Sequence, residues 1–174
     1  MRAITNIELK RVLGVGAGRR AVDIQKTISI DAPVERVFAL WANYQNFPRF
    51  MSHVRQVQDL GNGRSRWVVT GPAGTTVEWD AVVTSYIPHQ ELAWQTEPDS
   101  IVQHTGRVRF QSQADGGTTV NIHLSYNPAV GGLGHVVASL FGADPKRQMD
   151  DDLLRMKTFI ETGKVPSDAT WQRA

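Results

Sequence analysis

The chain has 174 residues, no cysteine, 41% hydrophobic residues and a net charge of only +2, from 19 Lys and Arg against 17 Asp and Glu. Such a length and composition describe one globular domain, able to bury roughly 70% of its unfolded surface without covalent staples. The missing thiols exclude a cysteine nucleophile, a thiolate metal site and a disulfide framework, and no run approaches the roughly 20 apolar residues that span a bilayer.

Residues 1–22 carry Arg2, Lys10, Arg11, Arg19 and Arg20 against Glu8, a net of +4, which leaves −2 on the rest. The basicity belongs to an arm, and the body has no field that would draw nucleic acid. Gly14, Gly16 and Gly18 match neither a Walker loop nor a dinucleotide fingerprint. The arm reads as a flexible connection, or as a contact for anionic lipid. With no signal-peptide core, a cytoplasmic protein is expected, peripheral to membrane at most.

The folded part is expected over 23–164, with 165–174 as a tail. It starts with Ile24, Ile28 and Ile30 in the even register of a strand. Asp31-Ala32-Pro33 then offers a cap and a first-turn proline, and Val34, Val37, Phe38 and Trp41 recur at helical spacing to about Ala42. Residues Tyr44 to Met51 form an aromatic-rich turn or second short helix. Strand-like runs follow over His53–Leu60, Arg64–Thr70, Thr76–Ile87, Glu91–Thr96, Ile101–Gln113 and Thr118–Tyr126, several of them divided by Gly-rich turns. Links this short join antiparallel neighbours, because parallel ones need a crossover of a dozen or more residues. From Asp144-Pro145 the period changes. Met149, Leu153, Met156 and Ile160 make one stripe of a helix that stops near Gly163.

That order, together with "VDIQKTISIDAPVERVFALWANYQNFPRFMSHV" at 22–54, "VEWDAVV" and the closing "DDLLRMKTFIETG", resembles the START-like (SRPBCC) superfamily. The likeness is to bacterial polyketide cyclase/dehydrase proteins related to the coenzyme Q-binding proteins. It covers about 22–164. The resemblance implies an α+β helix-grip fold: a curved antiparallel sheet wrapped around a long C-terminal helix, with two short helices after the first strand and a cavity between sheet and helix. No cofactor is implied.

Alternation chooses the inward face. Val77, Trp79, Ala81 and Val83 oppose Glu78, Asp80 and Thr84; His104, Gly106, Val108 and Phe110 oppose Thr105, Arg107, Arg109 and Gln111; Val120, Ile122, Leu124 and Tyr126 oppose Thr119, Asn121, His123 and Ser125. Trp67, Val69 and Trp94 join the inward set. The expected ligand-binding residues are therefore Trp41, Phe50, Trp67, Val69, Trp79, Trp94, His104, Phe110, Ile122, Tyr126, Phe141, Met149, Leu153 and Met156. Such side chains suit an apolar cavity with few polar handles, and equally a packed core. His104 and Tyr126 are the candidates for proton transfer, or are core groups satisfied by hydrogen bonds. His53 reads either as a solvated loop histidine or as a group at the cavity mouth. His89, His123 and His135 share no constellation. Asp150-Asp151-Asp152 reads as a solvated helix face near Arg155, and no metal site is expected. Residues 116–143 lack any charge, and the apolar, Gly-rich 128–143 reads either as a lid that touches membrane or as a packed helix.

Three functions compete on these residues. The favoured one is a carrier or sequestering protein for a lipid, isoprenoid quinone or polycyclic aromatic. The alternatives are an aromatase/cyclase or dehydratase on the same scaffold, and a protein-interaction module with a closed core.

Overall fold

The structure, a computed structural model, describes residues 22–70, 74–100, 102–127 and 145–164. Strand β1 (Val22–Ile30) leads into helix α1 (Val34–Ala42) and a 3-10 helix (Tyr44–Arg49). Six strands follow: β2 (Val54–Gly61), β3 (Arg64–Thr70), β4 (Thr76–Ile87), β5 (Glu91–Thr96), β6 (Gln103–Ser112) and β7 (Thr118–Asn127). Helix α2 (Pro145–Thr162) closes the described chain. The seven strands form one sheet in the order β1-β7-β6-β5-β4-β3-β2, with every neighbouring pair antiparallel. This is the expected helix-grip architecture. The arm lies outside the described residues except for Val22, with which β1 begins, and so do the tail 165–174, residues 128–143 and the Asp144 cap.

Local chemistry accounts for the joints. The β2–β3 hairpin turns through Gly61, Asn62 and Gly63, all at positive φ (80°, 53° and 73°), a region that glycine and asparagine tolerate best. Asp31 does not cap α1. Pro33 holds the N-cap position in extended conformation without a side-chain cap, and its carbonyl accepts from Arg36 and Val37. The Asp31 amide instead donates to Glu161 on α2, at 2.8 Å. In the 3-10 helix, Asn43 caps the Gln45 amide, and the turn sends Phe47 into the core.

Alternation along the strands sends Ile24, Val77, Trp79, Ala81, Val108, Phe110, Val120 and Ile122 inward, all buried. Met149, Leu153, Met156 and Ile160 of α2 meet them, also buried. The outer sheet face carries cross-strand ion pairs, Arg64 with Glu97, Arg66 with Asp80 and Arg109 with Glu91, and His123 beside Asp23. Exposed pairs of this kind contribute little to stability. Helix α2 is tied to the sheet edge by Lys26 and Asp150, 2.7 Å apart.

Candidate functional site

The inner face is divided along its length. Toward one end α1 lies on the sheet, and Phe38 meets Phe110 edge to face with ring centroids 5.3 Å apart. Trp41 contacts both Phe47 and Phe110. Aromatic contacts of this geometry add about 0.5–1.5 kcal/mol each beyond area burial. Toward the other end, Gln148 to Met156 of α2 and the sheet together line a cavity of about 120 Å³.

Twelve of the fourteen expected residues line that cavity: Trp41, Phe50, Trp67, Val69, Trp79, Trp94, His104, Ile122, Tyr126, Met149, Leu153 and Met156. Phe110 does not, because it lies on the stretch of β6 that α1 covers, where Phe38 and Trp41 enclose its ring. Phe141 lies outside the described residues. The lining also takes in Phe47, Met51, Val54 and Leu124, and the polar side chains His53, Gln148 and Asp152.

Trp94 depends on a bare backbone opposite. It pairs across the strands with Gly106, and a Cβ at that position would sit 2.2 Å from Trp94 Cζ2. The indole therefore lies flat over β6, as aromatic side chains do over strand glycines, and forms wall rather than filling. Trp67 is held by its Nε1, which donates to Ser65 Oγ at 2.9 Å. Trp41 and Trp79 each bury an indole N–H that has no hydrogen-bond partner among the described residues, an uncommon state for a buried donor.

His104 sits opposite Tyr126 in the β6–β7 register, with Trp79 edge-on at 5.6 Å between centroids. Its backbone amide is satisfied by Thr96 Oγ1 at 3.1 Å. Burial pushes the imidazole down to about 4, so the ring is neutral at pH 7. Burial likewise raises the Tyr126 phenol.

Asp152 corrects the reading of the acidic run. Asp150 and Asp151 face solvent, but Asp152 is 6% exposed and belongs to the cavity wall. Its Oδ1 accepts from Gln148 Nε2 at 3.0 Å and from Arg155 at 2.7 Å. Gln148 Nε2 also donates to Ser52 Oγ at 3.0 Å, which ties α2 to the turn before β2. Burial raises the Asp152 carboxyl to about 6, against the opposing pull of Gln148, Arg155, the Ser52 backbone and His53. The sequence held a signal for it: Asp152 lies three residues after Met149 and four before Met156, within the buried stripe of the helix. Among the described residues, no group of three or more His, Asp or Glu is placed to hold a metal ion.

A curved seven-stranded antiparallel sheet gripping a long C-terminal helix over an apolar cavity is the START-like helix-grip fold. The family model described as "Polyketide cyclase / dehydrase and lipid transport" matches residues 30–154, and the chain belongs to that family. A Streptomyces lincolnensis protein, an uncharacterized 17.2 kDa protein in the melC2-rnhH intergenic region, is 31% identical over 138 residues, 79% of this chain and 89% of that one. The crystal structure of DR_A0006 from Deinococcus radiodurans is similar with a TM-score of 0.66 and 31% identity, over 82% of this chain and 100% of the other. A START superfamily protein from Mycobacterium smegmatis shares the fold at TM-score 0.61 and 13% identity, over 82% of this chain and 99% of its own. No helix among the described residues is long and apolar enough to cross a membrane.

Proposed function

We propose that this chain binds a hydrophobic small molecule between its sheet and α2, as a carrier or sequestering protein. The observation that carries the reading is the cavity itself, about 120 Å³ with tryptophan, phenylalanine and methionine walls. Its size is close to the roughly 150 Å³ of an engineered apolar cavity that stays dry and takes up benzene. One ring or a short chain segment fits as it stands. A lipid, an isoprenoid quinone or a polycyclic aromatic needs side chains to move, and Met149 and Met156 on the α2 wall are unbranched, with adaptable rotamers. The family description, which joins cyclase and dehydrase chemistry to lipid transport, supports the same reading. Delivery at a membrane surface, through residues 128–143 or the basic arm, belongs to it as well. Naphthalene titrated against the tryptophan emission tests it directly: saturable quenching is expected, and Val69→Phe, which fills the cavity from β3, should abolish it. Unchanged quenching in that variant would move the binding site elsewhere.

A second reading, an aromatase/cyclase or dehydratase, is favoured by one observation: His104 and Asp152 border the same cavity. A neutral imidazole can take a proton from carbon beside a carbonyl, and a carboxyl of pKa about 6 can return one to a departing hydroxyl near neutral pH. The two readings separate at His104→Ala. An enzyme loses turnover, whereas a carrier keeps its ligand within about tenfold, the worth of one neutral hydrogen bond. The third reading, a closed core serving protein contacts, draws no support from a cavity of this size.

A further inference from the structure

The polar groups of the cavity are few and unevenly placed, and they restrict the charge and chemistry of what can enter. On the α2 wall stands Asp152, 6% exposed. Among the described residues its Oδ1 accepts from Gln148 and Arg155; a carboxylate offers roughly four acceptor positions, which leaves room for a ligand donor. The same cavity is lined by Trp79 and Trp41, 9% and 5% exposed, whose buried N–H groups have no hydrogen-bond partner among the described residues, and by His104 beside Trp79.

A ligand carboxylate next to Asp152 places two negative charges in a poorly solvated site, which neither can sustain without protonation. A ligand ammonium ion fares little better, because Arg155 at 2.7 Å already balances Asp152 and a third buried charge is left uncompensated. A hydroxyl carries no charge and offers one donor for the carboxylate, along with an oxygen able to accept from an N–H.

We propose that the cavity selects a neutral, hydroxyl-bearing apolar molecule, a phenol or an alcohol, whose hydroxyl lies at the Asp152 end, and that it rejects free carboxylic acids and amines. The proposal rests on the reading of the cavity as a binding site and narrows its ligand class; among lipids it excludes free fatty acids.

Four probes with one aromatic body test it on the full chain by calorimetry at pH 7.5: 2-naphthol, naphthalene, 2-naphthoate and 2-naphthylmethylamine. The expected result is that 2-naphthol binds about tenfold tighter than naphthalene, the worth of a hydrogen bond to a charged group, with the two charged probes weakest. Asp152→Asn should cut the 2-naphthol advantage over naphthalene severalfold. Equal binding of naphthol and naphthalene, or tighter binding of 2-naphthoate, overturns the ligand class while the cavity reading stands. Binding of none of the four overturns both. The wild-type series decides the question even if the variant fails to fold.

Discussion

Strand β6 passes through two regions that obey the same alternation and have opposite fates. Its Val108 and Phe110 are buried, and Phe110 is closed over by α1. Two turns of the pleat earlier, Gly106 and His104 underlie the cavity. Helix α2 repeats the division: Ile160 is packed at one end, while Met149, Leu153 and Met156 face open space at the other. Periodicity decides which face of a strand looks inward; what covers that face decides whether an aromatic side chain becomes filling or wall.

The largest expected effect lies on the packed side. Phe110→Ala should destabilise the protein by about 3–5 kcal/mol, the usual cost of emptying a buried phenylalanine site, and leave naphthalene uptake unchanged. Chemical denaturation alongside the emission titration checks both halves. Lost uptake with an intact fold would erase the division between the regions.

Next comes Asp152. Burial pushes its carboxyl up to about 6 in the folded chain from an ordinary 3.8, so the native state holds the proton more tightly than the unfolded state. The stability this contributes is fully present below about pH 4 and is lost as pH rises through about 6. At roughly 1.4 kcal/mol per unit, the loss amounts to about 3 kcal/mol. Denaturation midpoints across pH 4–8 should therefore slope downward in the wild type relative to Asp152→Asn; parallel curves would place the carboxyl in water. His104 works in the opposite direction. Its depressed imidazole contributes stability above about pH 6.5 that is lost as pH falls toward 4, and His104→Phe should remove that acid sensitivity.

Gly106→Ala is expected to cost about 1–3 kcal/mol, as overpacking does. The larger consequence is functional: the new Cβ drives Trp94 into the cavity, so uptake should fall, and adding Trp94→Ala should restore it. Failure of the double variant to recover uptake would separate Trp94 from the cavity wall. At the small end, Arg66→Ala removes an exposed pair on the outer sheet face and should change neither stability nor uptake measurably.

Much of this architecture is legible in the chain. The bounds of β3, β4 and β5 follow from strand-like runs set between turn residues, and α2 follows from its apolar stripe and Gly163. The cavity wall was legible to the same extent, since strand parity and helix period name its residues directly. Phe110 shows the limit: parity carries no information about position along a strand relative to a helix distant in sequence. Asp152 shows another. A run of three acids looks solvated by composition, and only the helical period separates its third member from the first two. The Asp31 cap failed for a local reason, since the extended Pro33 and its carbonyl open the helix without a side-chain cap. The indole N–H groups of Trp41 and Trp79, without a partner among the described residues, left no trace in the sequence, because satisfaction of a donor depends on neighbours from several strands.

Native mass spectrometry of the protein purified from its own host without detergent, followed by extraction and identification of what it holds, tests the central claim most directly. The account predicts one neutral, apolar, hydroxyl-bearing molecule per chain, released when Val69→Phe fills the cavity. An empty protein that also takes up neither naphthalene nor 2-naphthol would contradict it.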